Sequence, residues 1–456
     1  MNTWKAISIK RLSIRLAENW LYSAKNFHKR YSIELPDHLI IFKDEVAYGY
    51  LDQAQFDKCR KKLISKLYSS TFFELYEKDA VGIMKSFLAY CEKLSRKDFK
   101  NISNEMLIKN WKEFLRNEDE WMSTAWLIFI LDEPLTDELK NKLKEKKFMK
   151  AILTKTKKTD MIKQRLDLLY SALSGNHNNL AEKYAHFPIL NMDESPLTND
   201  YFINEIKKVK NPVEKIIKIH TNFDKNVNEY ERVLKYFSSD KEMTKLIEAC
   251  NKVVFYRDYR NDVRQRCYYH ARKLYFEIAS RLNIDIKDVI YLERKEIEDS
   301  LKNNELILSL ELIKKRKKNS LLTSIKSKIK SDYNINKIKK LSKEIIGNQI
   351  KKIKGIPANP GTVKGIAKIV VDIKKDKSKF EEGDILVTTT TNLEYLELIH
   401  KASAIITDIG GTLCHAAITA REFNKPCIVG AKNATKVLKD KDYIIVNANN
   451  GTIRKI

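Results

Sequence analysis

The densest chemistry in the chain lies between Thr407 and Glu422. There a short apolar strand, Ala404-Ile405-Ile406, runs into Gly410-Gly411, a single histidine follows at His415, and a good helix-forming stretch begins. This order puts an imidazole on a tight loop at a helix N-terminus. Free backbone N–H groups and the helix dipole favour an anion at such a position. A ring nitrogen that is largely unprotonated near neutral pH can accept a phosphoryl group, and the resulting phosphoramidate can pass it on. In that chemistry His415 is nucleophile and carrier. Gly410 and Gly411 let the loop approach the phosphate closely, and N–H groups of the following helix stabilise the phosphoryl oxygens. Arg421, about a turn and a half further on, either touches the phosphate or anchors the loop. Thr407 is a candidate hydrogen-bond partner of the imidazole, with a plain strand-end threonine as the alternative. Cys414 reads as a small residue packed beside the histidine, or as a thiol somewhat activated by the helix start.

A second cluster sits in Tyr256-Arg257-Asp258-Tyr259-Arg260-Asn261-Asp262-Val263-Arg264. Arg257, Arg260 and Arg264 fall at i, i+3 and i+7 on one helical face, so three guanidinium forks can converge on a phosphate or carboxylate. Asp258 and Asp262 can neutralise them instead, and spacing alone favours a salt-bridged solvent face. The proline-punctuated stretch from Tyr184 to Phe202 is either a substrate lip or a surface loop.

The elements that must carry these residues differ along the chain. Of twelve glycines, only Gly49, Gly82 and Gly175 precede residue 346, and the other nine lie in the last 110 residues, where strands and turns need them. The first 310 residues are rich in Lys, Glu, Leu and Ile with few breakers, which predicts a mainly helical body. Leu39–Lys43 and Val46–Tyr50 can form a hairpin around Asp44-Glu45, although Asp-Glu is a poor primed turn. Between Ile313 and Lys354 there are fifteen Lys or Arg against Asp332 and Glu344, which is +13 of the chain's net +26. Apolar residues recur through this run, so it reads as broken basic helices serving as a hinge arm or a solvated spacer. The expected division is a helical body over 1–312, a Lys-rich helical connector over 313–354 and a compact β/α unit over 355–456. The fold class is multidomain α plus α/β.

Charge and cysteine usage exclude some classes. The basic runs lack interleaved aromatics and any nucleic-acid motif, so a positive field for phosphates and nucleotides is preferred to nucleic-acid binding. Six scattered cysteines form no Cys-x-x-Cys pair and no metal spacing, and so read as reduced thiols, with no metal expected in this chain. The N-terminus has no apolar core of signal-peptide type, and the most apolar run, Ala125 to Leu131, is too short to span a bilayer. A cytoplasmic protein without membrane association is the expectation.

Four ordered blocks extend the first motif to a family. They are Gly355-Ile356-Pro357-Ala358-Asn359-Pro360-Gly361-Thr362-Val363-Lys364-Gly365, Glu382-Gly383-Asp384-Ile385-Leu386-Val387-Thr388, the Gly410-to-Glu422 core, and Asn424-Lys425-Pro426-Cys427-Ile428-Val429-Gly430. In these, Gly355–Ile456 resembles the phosphohistidine (mobile or swivelling) domain of the PEP-utilising enzymes, the group of PEP synthase, pyruvate phosphate dikinase and rifampin phosphotransferase. Two features depart from that pattern. PEP synthase and the dikinase typically carry a regulatory threonine two residues before the histidine, and Leu413 has no hydroxyl to modify. The family's Val-Asp-Gly near the end becomes Val446-Asn447-Ala448-Asn449-Asn450, an Asn-rich turn that tolerates left-handed backbone. The arginine helix, and Asp288–Leu292 with Glu296-Ile297 after it, resembles more loosely the helices that precede the mobile domain in PEP synthase-like and rifampin phosphotransferase-like proteins.

The resemblance implies a phosphotransferase. No glycine-rich, acid-lined nucleotide site or Walker A sequence is visible before residue 310. It therefore implies that a separate ATP-grasp subunit, with ATP and Mg²⁺, loads His415. A small-molecule acceptor would then be held by the helical body. A non-catalytic binding or regulatory protein retaining the carrier fold is the alternative reading.

Overall fold

The computed structural model describes residues 4–43, 45–67, 72–143, 147–176, 179–346 and 353–455. Long helices dominate the first three hundred residues: Ile14–Tyr31, Phe72–Ser95, Asn104–Lys142 and Lys241–Arg281. The first begins where the Ser13 hydroxyl accepts the Leu16 N–H, and Ser103 and Asp240 cap the last two in the same way. Their apolar faces meet in one core that includes Trp111, Phe114, Leu127, Ile130, Leu131, Val254 and Tyr275, all buried.

A five-stranded antiparallel sheet flanks these helices. Its strands are β1 (Trp4–Arg11), β2 (His38–Lys43), β3 (Val46–Asp52), β4 (Asn319–Ile325) and β5 (Lys328–Asp332), in the order β1-β3-β2-β4-β5. The β2–β3 hairpin expected from the sequence is present, with Lys43 paired to Val46; Glu45 of its turn has φ +66°, and Asp44 lies outside the described residues.

The Lys-rich segment differs from its sequence reading. It was expected as broken helices, yet its middle forms β4 and β5, and β4 pairs with β2 from His38↔Ser324 to Lys43↔Asn319. Leu321 and Leu322 are buried there, while Lys328 lies on the exposed edge strand. Charged residues suit an edge strand because they oppose pairing with another chain. The turn is Lys326-Ser327, both left-handed at φ +48° and +60°, a two-residue primed turn without the glycine that usually announces it. Helices Leu310–Lys318 and Ile335–Ile346 flank the hairpin. The first part of the segment thus completes the body's sheet, and residues 347–352 lie outside the described ones.

Residues 355–455 form the second sheet: β6 (Ile356–Asn359), β7 (Thr362–Ile369), β8 (Ile385–Thr388), β9 (Ala404–Thr407), β10 (Cys427–Val429), β11 (Tyr443–Asn447) and β12 (Thr452–Lys455). The order is β12-β11-β7-β8-β9-β10-β6, with β7 to β10 parallel and the remaining pairings antiparallel. Both faces are covered. Leu386 and Ile405 pack on one side with Ala416, Ala417 and Ala420, while Ile385, Val387, Ala404 and Ile406 pack on the other. Continuous apolar strands with every residue of β8 and β9 buried are what a parallel sheet covered on both faces requires.

Candidate functional site

In open parallel sheets, sites form beyond the carboxyl ends of the strands. Here β8 and β9 are neighbours with Thr388 opposite Thr407, so the loops that follow them emerge side by side. The first carries Thr391, and the second carries Gly410, Gly411 and His415. Gly410 has φ +129°, and a Cβ there would meet the Cys414 Sγ at 2.7 Å, so only glycine fits this bend. The helix His415–Glu422 starts immediately after Cys414, which has extended backbone at φ −70° and ψ 162°.

His415 is buried, and its Nδ1 lies 3.0 Å from the Thr391 hydroxyl, while Nε2 has no partner. Burial lowers its pKa to about 4; Asp258 opposes the shift, and Lys155 and Arg257 add to it. The imidazole is therefore neutral at physiological pH, with one nitrogen held and the other free. Thr407 does not hold the ring: its hydroxyl donates to the Ile409 carbonyl at 2.9 Å and fixes the turn. Thr391 takes the role expected of Thr407. Sequence reading missed it because a run of four threonines after a strand carries no motif, and only the parallel register brings it to the histidine.

The loop is docked onto the helical body. The Leu413 N–H donates to the Asp132 carboxylate at 3.0 Å, and the Leu413 side chain joins the body's core. Asp132 also pairs with Arg257. Arg421 donates to the Leu153 carbonyl at 3.1 Å and the Ala358 carbonyl at 3.2 Å, so it anchors the loop rather than reaching a phosphate. Buried without a carboxylate at hydrogen-bond distance, its guanidinium has a pKa lowered to about 10. Lys155, fully enclosed, lies 2.5 Å from Asp258 of the body and 2.9 Å from Glu422 of the His415 helix. These contacts are close but not aligned as hydrogen bonds, which makes them an ion cluster more than a hydrogen-bonded network. Burial alone would push the Asp258 carboxyl up, yet Lys155, His415 and Arg257 together hold it below its usual range. Cys414 is buried, which pushes its pKa up to about 11 and fits the packing reading.

His415 lines a cavity of about 570 Å³ between the two units. Arg257, Arg260 and Arg264 line it too, so the three-arginine face is internal and not the solvent face that spacing favoured. Arg257 is met by Asp132 from another helix, and Arg260 donates to the Arg257 and Ala125 carbonyls. Asp258 turns to Lys155, while Asp262 is buried with its pKa pushed well up by burial and by Asp160 and Asp258. Trp20, Trp121, Trp126, Phe129, Tyr48 and Tyr50 supply the aromatic wall. From the Tyr184–Phe202 stretch, Leu190 and Glu194 reach the cavity, while His186 is buried against Phe187. The described residues contain no cluster of three His, Cys, Asp or Glu suited to a metal, and no helix among them is long and apolar enough to cross a membrane.

Comparison with known proteins bears on the second unit. Residues 380–451 match the family model described as PEP-utilising enzyme, mobile domain. That segment is similar to the mobile domain of PEP-utilising enzymes. A probable phosphoenolpyruvate synthase from Archaeoglobus fulgidus is 46% identical over 101 residues, 22% of this chain and 13% of that protein. One from Methanothermobacter thermautotrophicus is 44% identical, again over 22% of this chain and 15% of that protein. Rifampicin phosphotransferase from Bacillus cereus is 27% identical over 224 residues, 46% of this chain and 24% of that protein. The aligned regions thus span from about an eighth to a quarter of the curated relatives' length. A solved aconitase X from Thermococcus kodakaraensis covers 24% of this chain and 99% of its own at 18% identity, with a TM-score of 0.19, too low to bear on the fold. Homologues of the mobile domain are therefore phosphotransferases that include a PEP synthase branch and a rifampicin phosphotransferase branch.

Proposed function

We propose that this chain carries a phosphoryl group on Nε2 of His415, takes it from ATP at a separate ATP-grasp subunit, and delivers it to a hydroxyl held in the cavity of the helical body. The observation that carries this reading is the pairing of Nδ1 with Thr391 while Nε2, buried and neutral, has no partner at the wall of a cavity large enough for a small molecule. The phosphotransferase relatives supply the class of reaction.

ATP and Mg²⁺ belong at the loading subunit in this scheme, where the β-phosphoryl group passes to the histidine as AMP leaves and water takes the γ-phosphoryl group as phosphate. His415 is closed in by the body here, so loading requires the mobile domain to leave the body and return. On return, the acceptor's hydroxyl oxygen attacks phosphorus as the N–P bond breaks. The electron pair returns to Nε2, which can take up the hydroxyl proton. Arg257, whose charge the imidazole already feels, faces the phosphoryl group in this geometry. Cytoplasmic placement suits an ATP-dependent reaction of this kind.

The test uses the purified chain and its His415→Ala variant with ATP labelled at the β-phosphate, each with and without lysate of the source organism. Acid-labile, base-stable label on the wild type alone, dependent on lysate, is the expected result. No label on either protein under any condition would leave a binding protein on a carrier fold.

A further inference from the structure

The cavity holds two guanidinium groups that the carrier chemistry does not use. Arg260 is partly buried, and among the described residues it donates to the backbone carbonyls of Arg257 and Ala125; the surface it retains lines the cavity. Arg264 is 7% exposed, and its Nε has no partner. Among the described residues neither makes an ion pair. Glu194, the nearby acid whose charge Arg264 feels, has its carboxylate engaged by the Leu190 and Asn191 N–H groups. Burying a cation without an anion is costly, and clustering three cations raises the cost further. Burial and the neighbouring Arg257 and Arg264 lower the Arg260 pKa to about 9, as such crowding should.

The phosphoryl group on His415 cannot answer all three cations. Arg257 sits by the imidazole, but seven helical residues put the Arg264 Cα roughly 10 Å further along the axis. The wall between is aromatic: Trp20 and Trp126 pack edge to face at 5.9 Å, and Trp121, buried with an unpartnered Nε1, lies alongside. A volume of about 570 Å³ has room for several fused rings.

From this juxtaposition we infer that the acceptor is a flat aromatic acid, its hydroxyl at the His415 end and its carboxylate or phosphate further along the helix on Arg260 and Arg264, roughly 5 and 10 Å beyond Arg257 along the axis. This deepens the proposed function and rests on the cavity being the acceptor site.

The test needs no ATP. Four of the chain's five tryptophans line the cavity, so quenching of tryptophan emission reports binding directly. Three probes are titrated into the wild-type chain: a hydroxynaphthoate with hydroxyl and carboxylate at opposite ends, the naphthol lacking the carboxylate, and a hydroxycyclohexane carboxylate lacking the ring. The hydroxynaphthoate should bind at least about ten-fold more tightly than either control, the range expected for a charge-assisted hydrogen bond in an enclosed site. Arg264→Gln should reduce that preference over the naphthol to less than about three-fold. Equal binding of acid and naphthol, or of acid and cyclohexane analogue, overturns the inference, as does failure of all three to bind. An intact acid preference in both Arg260→Gln and Arg264→Gln overturns it too and assigns the arginines to the phosphoryl group. Set beside the labelling of the wild-type chain, the same titration separates the two readings. Selective binding in a chain that never takes label leaves the ligand class standing and removes the carrier. Label on His415 without selective binding does the opposite.

Discussion

Thr391 and His415 stand 24 residues apart in the chain and meet at 3.0 Å, hydroxyl to Nδ1, on adjacent parallel-strand ends. This contact decides which ring nitrogen can act as nucleophile. A hydroxyl on Nδ1 fixes the ring's orientation and leaves Nε2 for phosphorus.

Thr391→Val should therefore slow phosphorylation of His415 by about ten-fold, the worth of one hydrogen bond to an oriented group. The fold should be unaffected, because valine matches threonine in shape. A structural role alone would lower the unfolding midpoint without changing the site of modification. The positioning role predicts that phosphate appears on both ring nitrogens, which phosphorus NMR of the labelled protein distinguishes.

Gly410→Ala tests the loop in a different way. The new Cβ would meet Cys414 Sγ at 2.7 Å at a backbone φ of +129° that side chains rarely adopt. A loss of about 1–3 kcal/mol in chemical denaturation is expected, together with loss of labelling. Adding Cys414→Ala removes the Sγ contact but leaves the Cys414 Cβ position at 3.0 Å and the backbone strain, so recovery should be partial. Full recovery would mean that contact alone had excluded the side chain.

The carrier loop was legible because its chemistry is contiguous: Gly410, Gly411, Cys414, His415 and Arg421 share one loop and one helix. The three arginines were legible as a face but not as an internal one, since spacing cannot say what packs against a helix. Asp132, Lys155 and Asp258 come from separate helices and loops and meet the loop only through tertiary packing. Asp132 did leave a signal, as the first of two acids, Asp132-Glu133, that end the apolar run from Ala125 to Leu131. The β4–β5 hairpin was hidden because its turn is Lys326-Ser327 and its lysines read as helix-compatible charge. Its alternation of Lys328, Ile329 and Lys330 was the cue, and pairing with β2 decided the outcome.

The depressed pKa of His415 sets a pH dependence. Its folded value of about 4 lies below the unfolded 6.5, so between these two the unfolded chain binds more protons than the folded one. Stability should be unaffected by His415 above about pH 7 and fall as the pH drops through 6.5 towards 4, by roughly 3 kcal/mol at the lower end. His38, lowered to about 4, and His186, lowered to about 3, contribute losses of the same sign. The share of His415 is therefore the difference between wild type and His415→Gln in urea unfolding at pH 7 and pH 5. Parallel losses in the two proteins would place the histidine in a wetter setting than this one.

Lys155 offers the sharpest test of how the mobile domain is held. Its ammonium lies between Asp258 on the body and Glu422 on the helix of His415, with Lys155 and Asp258 buried and Glu422 largely so. Lys155→Met deletes the cation and strands two carboxylates, which should cost about 3–5 kcal/mol. Since one carboxylate belongs to each unit, the loss should weaken their association, and unfolding should split into two transitions. Neutralising the stranded acids as well, in Lys155→Met with Asp258→Asn and Glu422→Gln, should recover most of the loss, because amides of the same shape carry no charge to desolvate. A triple variant as unstable as the single one would show that packing around Lys155, and not its charge, joins the two units.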